Sequence, residues 1–490
     1  MIVFYNPVSN PPKKPVLPMS LLSLGAVLEG EFDYRIVDGN LVADGLTALR
    51  QALRETGAKI LGLTVMPGPQ LSDAVPICKA LKAEFPGLTI IWGGYFPSLH
   101  CGVVMKAPYV DYVFRGHCEK EFVTFLRRFD RGEDVTDLAG LAWRTPEGEV
   151  KMNAKAPLPN INDLPDFPYD RVPMERYMRK SFMGSRTVAH HSSYGCPFTC
   201  NFCGVVYKVN GRYSAQTAER TASVVHRLVK DYRVNAVEFY DSNFFVQESR
   251  IHEFSERITP LNIGWWGFGR PDTMMKFSDK TWAAMAKSGL KMAFMGAEAG
   301  DPEMLRQMNK GGKQTPDLVL EVAERMGRFG VVPEMSFIVG NPPNPEADLQ
   351  KTLRFIRRLK KVNPKTEIVF YVFTPVPVAG DMLHEATAAG FKYPESLEVW
   401  TEAPWEKFAQ HLSSSLPWMT NRIRRKVSNF QQVLHATYPT ITDPKLKGIG
   451  RMALQAAASW RYATEFYAFP VELKVVNKIF PYNRPEISGF

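Results

Sequence analysis

A chain of 490 residues exceeds one typical domain, and with 45% apolar and 22% charged residues it has material for two or three packed cores. A formal charge of +10 suits anionic partners as well as diffuse surface charge, while six cysteines, three of them within eight residues, exclude a disulfide framework and favour a reducing cytoplasm. The opening MIVFYNPVSNPPKKP lacks the regions of a signal peptide, and no apolar run approaches the roughly 18 residues of a spanning helix, which leaves at most a peripheral contact with a membrane.

From residue 1 to about 140, short apolar runs at 2–5, 34–37, 60–65, 89–92 and 112–114 alternate with helical patterns at 21–28, 47–55, 71–85 and 120–129. That alternation predicts a parallel, doubly wound, Rossmann-like sheet, whose ligands sit at the carboxyl ends of the strands. The loops there, 6–14, 38–40, 66–70, 93–98 and 116–119, are rich in Gly and Pro and let a ligand approach the backbone. By itself the pattern supports a nucleotide-like or cofactor-binding domain. His100, Cys101, His117 and Cys118 lack the short chelating spacing of a zinc site and read as loop residues, and Cys78 reads as core.

Residues 141–186 read as a connector. A β-hairpin is expected at 141–152 around Pro146-Glu147-Gly148-Glu149, followed by Pro157, Pro159, Pro165, Pro168 and Pro173 in an extended segment. Leu158, Ile161, Leu164, Phe167 and Tyr169 give that segment apolar groups with which to dock.

Residues 187–392 begin with Ser193-Tyr-Gly-Cys-Pro-Phe-Thr-Cys-Asn-Phe-Cys203. Thiolates packed this closely are metal or cluster ligands far more often than disulfide partners. Three of them leave a four-iron cluster one ligand short, and the open iron is available for chemistry. The competing reading is structural zinc, with His190 or His191 as fourth ligand. Beyond the loop, strands are expected at 236–240, 264–268, 291–296, 332–339 and 367–373, with helices at 217–229, 249–258, 278–287, 315–329 and 347–360. Counting the strand just before Cys196, this is a partial (β/α)6 barrel with its site at the carboxyl ends of the strands. The Gly-rich stretch 300–312 holds no Walker pattern.

Cys196-x3-Cys200-x2-Cys203, with Phe202 before the last cysteine and a barrel behind it, resembles the radical S-adenosylmethionine (SAM) superfamily over nearly the whole of this unit. The resemblance implies that Cys196, Cys200 and Cys203 hold a [4Fe–4S] cluster whose fourth iron binds SAM. An external one-electron reductant such as flavodoxin or ferredoxin then drives cleavage to a 5′-deoxyadenosyl radical. It further implies SAM contacts at Phe202, at Asp241 and Asn243 towards the amino group, and at Arg270 towards the carboxylate. Glu298 is implied towards the ribose or amino group, with Ala299 in place of the usual hydroxyl residue, and Ser336 and Ile338 lie on the adenine side. Thr374-Pro375-Val376-Pro377 is similar to the turn after the sixth strand.

The first unit, with Gly93-Gly-Tyr-Phe-Pro-Ser98 and Arg115-Gly-His-Cys-Glu119, resembles the cobalamin-binding domain that precedes many such barrels, and the Leu164-Pro-Asp-Phe-Pro-Tyr169 segment resembles their connector. The resemblance implies cobalamin contacts at Asn6, Asp38, Gly39, Met66, Pro67, Gly68, Gly93, Gly94, Tyr95, Gly116 and Glu119. The Asp-x-His-x-x-Gly signature of a lower histidine ligand is absent, so the lower face of cobalt is expected to meet loop 66–70.

Residues 393–490 read as a helical region, with helices at 405–413, 419–437, 448–467 and 471–480. It is dense in aromatics, and Arg422, Arg424, Arg425 and Lys426 form a basic cluster with Lys445, Lys447 and Arg451 beyond it. Two readings stand open, a lid for a hydrophobic, anionic substrate and a cap packed over the barrel mouth. No nucleic-acid-binding module accompanies the basic residues. The resemblance as a whole implies a cobalamin-dependent enzyme that methylates an unactivated carbon of a hydrophobic small molecule. The alternatives are cyclisation, oxidation or carbon–carbon coupling on the same scaffold, or a non-enzymatic carrier or sensor.

Overall fold

The first sheet is built from β1 (Ile2–Asn6), β2 (Tyr34–Asp38), β3 (Ile60–Thr64), β4 (Thr89–Gly93), β5 (Tyr112–Phe114), β6 (Leu141–Arg144) and β7 (Val150–Met152), in the order β2-β1-β3-β4-β5-β6-β7. This is a computed structural model that describes residues 1–9, 15–310, 314–411, 416–439 and 449–479. Strands β1 to β5 are parallel, whereas β6 and β7 run antiparallel. The hairpin, expected to open the connector, therefore extends the first sheet through β5. Alternate residues serve two cores. Val3, Tyr5, Leu61, Leu63 and Trp92 face one, and Ile2, Phe4, Ile60, Ile91 and Phe114 face the other. Burial on both faces is why these strands read as continuous apolar runs. Strand order reverses at β1, which pairs with both β2 and β3, so the crevice for a ligand opens beside Asn6, Asp38 and Met66. The loop after β4 is more regular than expected, folding into the short helices Tyr95–Leu99 and Cys101–Met105.

The connector is ordered in three single 3-10 turns, Ile161–Asp163, Tyr169–Arg171 and Met174–Arg176. Ile161, Leu164, Phe167, Tyr169, Val172, Met174 and Tyr177 are all buried, so apolar docking fixes a segment whose prolines forbid long helix.

The second sheet comprises β8 (Thr187–His190), β11 (Ala236–Phe239), β12 (Gly264–Gly269), β13 (Leu290–Glu298), β14 (Val332–Val339) and β15 (Glu367–Val372), with β9 (Ser193–Gly195) and β10 (Tyr213–Ala215) forming a separate ribbon. Its order is β15-β14-β13-β12-β11-β8, parallel throughout. Six strands are present as expected, but the first ends at His190, and the strand immediately before Cys196 belongs to the ribbon. Phe239, Trp265, Met335 and Phe337 face the helices, while Trp266, Met292, Phe294, Val332 and Val369 fill the inner side.

The tail adds helices Asn421–Thr437, Ile449–Ala463 and Val471–Ile479, preceded by Leu397–Trp400 and Ala403–Ala409. Of the expected tail features, residues 412–413, 448 and 480, Lys445, Lys447 and the side chain of Arg451 lie outside the described residues. Trp418 Nε1 donates to the Gly340 carbonyl at 2.7 Å, which seats the start of this region on the loop after β14. Among the described residues, no helix is long and apolar enough to cross a membrane.

Candidate active site at the carboxyl ends of both sheets

The cysteine loop is closed as a hairpin. β9 and β10 pair antiparallel, and the Cys196 amide donates to the Arg212 carbonyl at 3.0 Å. Gly195 at φ +76° makes the turn, where any Cβ would sit 2.3 Å from the Arg212 oxygen. The far side of the loop is pinned by residues 307–309. Asn201 donates from its amide to Met308 O at 3.2 Å and from Nδ2 to Gln307 O at 2.6 Å, and Asn309 Nδ2 returns to Thr199 O at 2.8 Å. Cys203 then starts the helix Gly204–Val209.

Two side chains from the following strands reach the sulfurs. Arg270, after β12, donates from Nη1 to Cys200 Sγ at 3.1 Å. Asn243, after β11, places Nδ2 3.9 Å from Cys196 Sγ. Burial pushes the Cys203 thiol up to about 12, helped by the neighbouring thiols, and raises that of Cys196. Thiols penalised in this way gain by sharing their charge with a metal centre. Among the described residues, no three His, Cys, Asp or Glu side chains converge on a single ion. His190 is committed elsewhere, with Nδ1 2.8 Å from the Tyr169 hydroxyl and its ring among Phe167, Tyr169 and Phe239.

The expected SAM residues divide into two groups. Asp241 and Arg270 are turned into the protein. Asp241 accepts from the Ser192 amide at 3.1 Å and from the Ser192 and Ser193 hydroxyls at 2.8 and 2.5 Å, and so ties the end of β11 to the start of β9. Arg270 forks onto Asp272 with two bonds of 2.9 Å, donates to the Lys310 carbonyl at 2.6 Å and stacks 3.8 Å over Phe198. The second group stays at the barrel mouth. Glu298, in a bulge at the end of β13 with φ +64°, forms a buried ion pair of 2.5 Å with Lys310 Nζ, which also lies 5.6 Å from the Phe202 ring. Gly296 leaves the space for that carboxylate, since a Cβ there would fall 1.9 Å from Glu298 Oε1. Ser336 is buried and Ile338 half-buried on β14. Asn243 Oδ1, Asn201 Oδ1 and Gln314 Oε1 are buried without a partner among the described residues. An ammonium–carboxylate pair opposite Lys310 and Glu298, with orphaned amide oxygens nearby, fits the amino-acid end of SAM. Lys310 escaped the sequence reading. Nothing in its spacing from Glu298 marks the two as partners.

On the first sheet the expected cofactor residues line one edge. Gln70 Nε2 donates to Asn6 Oδ1 at 3.1 Å. Asp38 accepts from Asn40 and, at 2.7 Å, from the Tyr177 hydroxyl. Gly39 lies against the Tyr5 hydroxyl. Met66 is 45% exposed, unusual for a methionine and suited to an apolar cofactor face. Pro67 leads into Gly68 at φ +83°, which faces Ala409 of the tail. Gly94 at φ +98° follows Gly93 and has no room for a Cβ beside Val65 N, at 2.9 Å. Gly116 donates to Ser98 Oγ at 3.0 Å. Burial works against the charge of Glu119, but the His117 ring 3.7 Å away, its own amide and the Ser23 hydroxyl hold the carboxyl down to about 2, and its Oε2 is buried with no partner among the described residues. Glycine cradles, an exposed Met and an orphaned carboxylate oxygen fit a large, amide-rich ligand such as cobalamin.

The two edges meet. Tyr95 packs on Gly204, His117 stacks on Tyr194 at 4.2 Å, and the Ser23 hydroxyl lies 2.7 Å from the Tyr194 hydroxyl. Lys155 donates to the Tyr207 carbonyl and lies 4.0 Å from that ring. His100 is not a metal ligand of this edge, being packed among Phe96, Tyr393 and Trp400.

Comparison with known proteins matches two parts of the chain. Residues 191–356 match the radical SAM superfamily, and residues 8–126 match the B12 binding domain. The chain thus carries a radical SAM domain and, ahead of it, a B12-binding domain. It is 26% identical over 348 residues to an uncharacterized methyltransferase of Pyrococcus horikoshii, covering 70% of this chain and 73% of that one. It is 25% identical over 319 residues to the anaerobic magnesium-protoporphyrin IX monomethyl ester cyclase of Synechocystis, covering 63% and 62%. In fold it is similar to the radical SAM methyltransferase TsrM of Kitasatospora setae, solved with tryptophan and a SAM analogue, at TM-score 0.68 and 14% identity over 94% of this chain and 95% of that one. The cobalamin-dependent enzyme OxsB, solved with aqua-cobalamin, superposes at 0.65 and 15% identity over 99% and 74%.

Proposed function

We propose that this radical SAM protein is a cobalamin-dependent C-methyltransferase acting on an unactivated carbon of a hydrophobic small molecule. The observation that carries the reading is the seam between the two edges, where the loop of Cys196, Cys200 and Cys203 is held on one side by Asn243 and Arg270 and on the other by Tyr95. A cluster ligated there lies beside both a SAM pocket and the ligand edge of the first sheet. When bound, the cluster, SAM and cobalamin supply reductive cleavage of a sulfonium and transfer of a methyl group.

The chain's own residues do the rest. Cys196, Cys200 and Cys203 ligate the cluster. Lys310 and Glu298 take the carboxylate and ammonium of SAM, with Asn243 as a further acceptor, and Phe202, Ser336 and Ile338 border its nucleoside. Loops 38–40, 66–70, 93–95 and 116–119 would receive cobalamin. An external reductant of the flavodoxin or ferredoxin type delivers the electron. Exposed Trp460, Phe466, Phe469 and Val471 on the tail support a peripheral contact with membrane.

Anaerobic reconstitution of the full chain with iron and sulfide tests the reading. It is expected to yield about four irons, as a [4Fe–4S] cluster requires, and a corrin spectrum after loading with hydroxocobalamin, with the iron lost in Cys200→Ala. Turnover should release S-adenosylhomocysteine together with 5′-deoxyadenosine. 5′-Deoxyadenosine alone would replace methylation with cyclisation or oxidation, and unchanged iron in Cys200→Ala would remove the radical reading altogether.

A further inference from the structure

The Arg270 guanidinium has five N–H donors, and four are spent inside the protein. The Nε edge forks onto the two oxygens of Asp272, each at 2.9 Å. The opposite edge is divided, with Nη2 donating to the Lys310 carbonyl at 2.6 Å and Nη1 to Cys200 Sγ at 3.1 Å. Phe198, two residues before Cys200, covers the guanidinium at 3.8 Å. Arg270 and Asp272 are 5% and 3% exposed, so water does not screen them. Bidentate capture of a carboxylate needs two parallel donors on one edge. Neither edge offers them, because one already holds a carboxylate and the other is divided between a sulfur and a carbonyl.

We propose that Arg270 is a positioning residue that sets the reduction potential of the cluster through its hydrogen bond to Cys200, with Asp272 as the opposing charge. The inference rests on the proposed ligation of a [4Fe–4S] cluster by the three cysteines. A positive donor at a ligand sulfur favours the reduced, more negative cluster, and hydrogen bonds to sulfur are among the terms that set such potentials. Asp272 lies on the far edge of the same guanidinium and acts with the opposite sign. The pair therefore makes a signed prediction that a purely structural role does not. Removing the arginine charge lowers the midpoint potential, and removing the aspartate charge raises it.

The experiment is an EPR-monitored redox titration of the reconstituted full-length protein, its Arg270→Gln variant and its Asp272→Asn variant, with SAM affinity measured on each by calorimetry. The expected result is a midpoint below the parent in Arg270→Gln, a midpoint above it in Asp272→Asn, and SAM affinity within about threefold of the parent in both. Asp272→Asn keeps the arginine, its charge and its sulfur contact, so this variant decides the matter should Arg270→Gln fail to take up iron. Unmoved midpoints, or shifts of the same sign in both variants, overturn the proposal. A tenfold or greater loss of SAM affinity in Arg270→Gln at an unchanged midpoint also overturns it and makes Arg270 a SAM ligand. Failure of the parent protein itself to assemble a four-iron cluster would instead remove the reading on which the inference rests.

Discussion

Tyr95 of the first unit and Gly204 of the cysteine loop occupy one space, since a Cβ on Gly204 would lie 2.0 Å from the tyrosine oxygen and 2.6 Å from the ring carbon that bears it. The helix that begins directly after Cys203 is thus fitted against the loop expected to hold cobalamin. Gly204→Ala should force the two apart at an overpacking cost of about 1–3 kcal/mol. It should also lower the iron retained after anaerobic reconstitution. Tyr95→Ala in the same chain vacates the space and should restore iron retention, whereas Tyr95→Phe, which leaves the ring carbon in place, should restore it only in part. Iron content and thermal unfolding across the four proteins check the prediction.

Much of this arrangement was legible because strand and helix periods are local. The inner strands are apolar on both faces, and Cys196, Cys200 and Cys203 announce themselves by spacing. What the residues alone did not disclose is where polar side chains turn. Asp241 and Arg270 follow strand ends in the positions expected of SAM ligands, yet Asp241 closes onto Ser192 and Ser193, and Arg270 onto Asp272 and Cys200. The choice depends on which partners the fold brings near, a non-local fact. The same holds for Lys310, twelve residues beyond its partner, and for the hairpin, whose membership of the first sheet is decided by β5 rather than by its own residues.

Lys310 and Glu298 form a buried pair with side chains 7% exposed on each side. Lys310→Met leaves the carboxylate buried without its cation and should cost about 3–5 kcal/mol. The double variant Glu298→Gln/Lys310→Met removes both charges and should recover most of that stability. It should not recover SAM affinity, because the cation for the SAM carboxylate is still missing. Chemical unfolding paired with calorimetric SAM titration separates the two effects, and a double variant that binds SAM like the parent would refute the assignment of this pair.

Asp348 should make stability depend on pH. It lies in the first turn of helix Pro345–Val362, is 5% exposed, and accepts from Asn341 Nδ2 at 2.8 Å. Burial pushes its carboxyl up to about 6, against the Asn341 hydrogen bond. Between the unfolded value near 4 and this folded value the native state holds a proton that the unfolded chain has released, so stability falls as pH rises through that window. The full penalty, about 3 kcal/mol, applies above the folded value. Asp348→Asn keeps the hydrogen bond and removes the charge, so it should melt higher than the parent at pH 7.5 and lose that advantage near pH 4. Melting temperatures measured from pH 4 to 8 test the sign directly, and a variant less stable than the parent at pH 7.5 would reverse it.

Trp400 joins the tail to the first unit. Its ring is 2% exposed and lies 5.1 Å from Phe96, 4.8 Å from His100 and 5.2 Å from Trp405 by ring centroids, with Phe96 and Trp400 edge to face. Nearby, Lys79 and Glu398 form an ion pair of 2.6 Å between side chains 45% and 52% exposed. The two contacts cross the same boundary but differ in kind. The aromatic cluster excludes water and gains from packing, whereas the ion pair exchanges one solvated state for another. Trp400→Ala should cost about 3–5 kcal/mol and open the 397–409 segment to limited proteolysis. Glu398→Ala should cost about 1 kcal/mol or less and leave the cleavage pattern unchanged. Because Gly68 of the expected cobalamin loop lies 3.4 Å from Ala409 when given a Cβ, release of this segment should also weaken hydroxocobalamin binding, read from the corrin spectrum, in Trp400→Ala and not in Glu398→Ala. Equal effects of the two substitutions would mean that the aromatic cluster does not hold the tail in place.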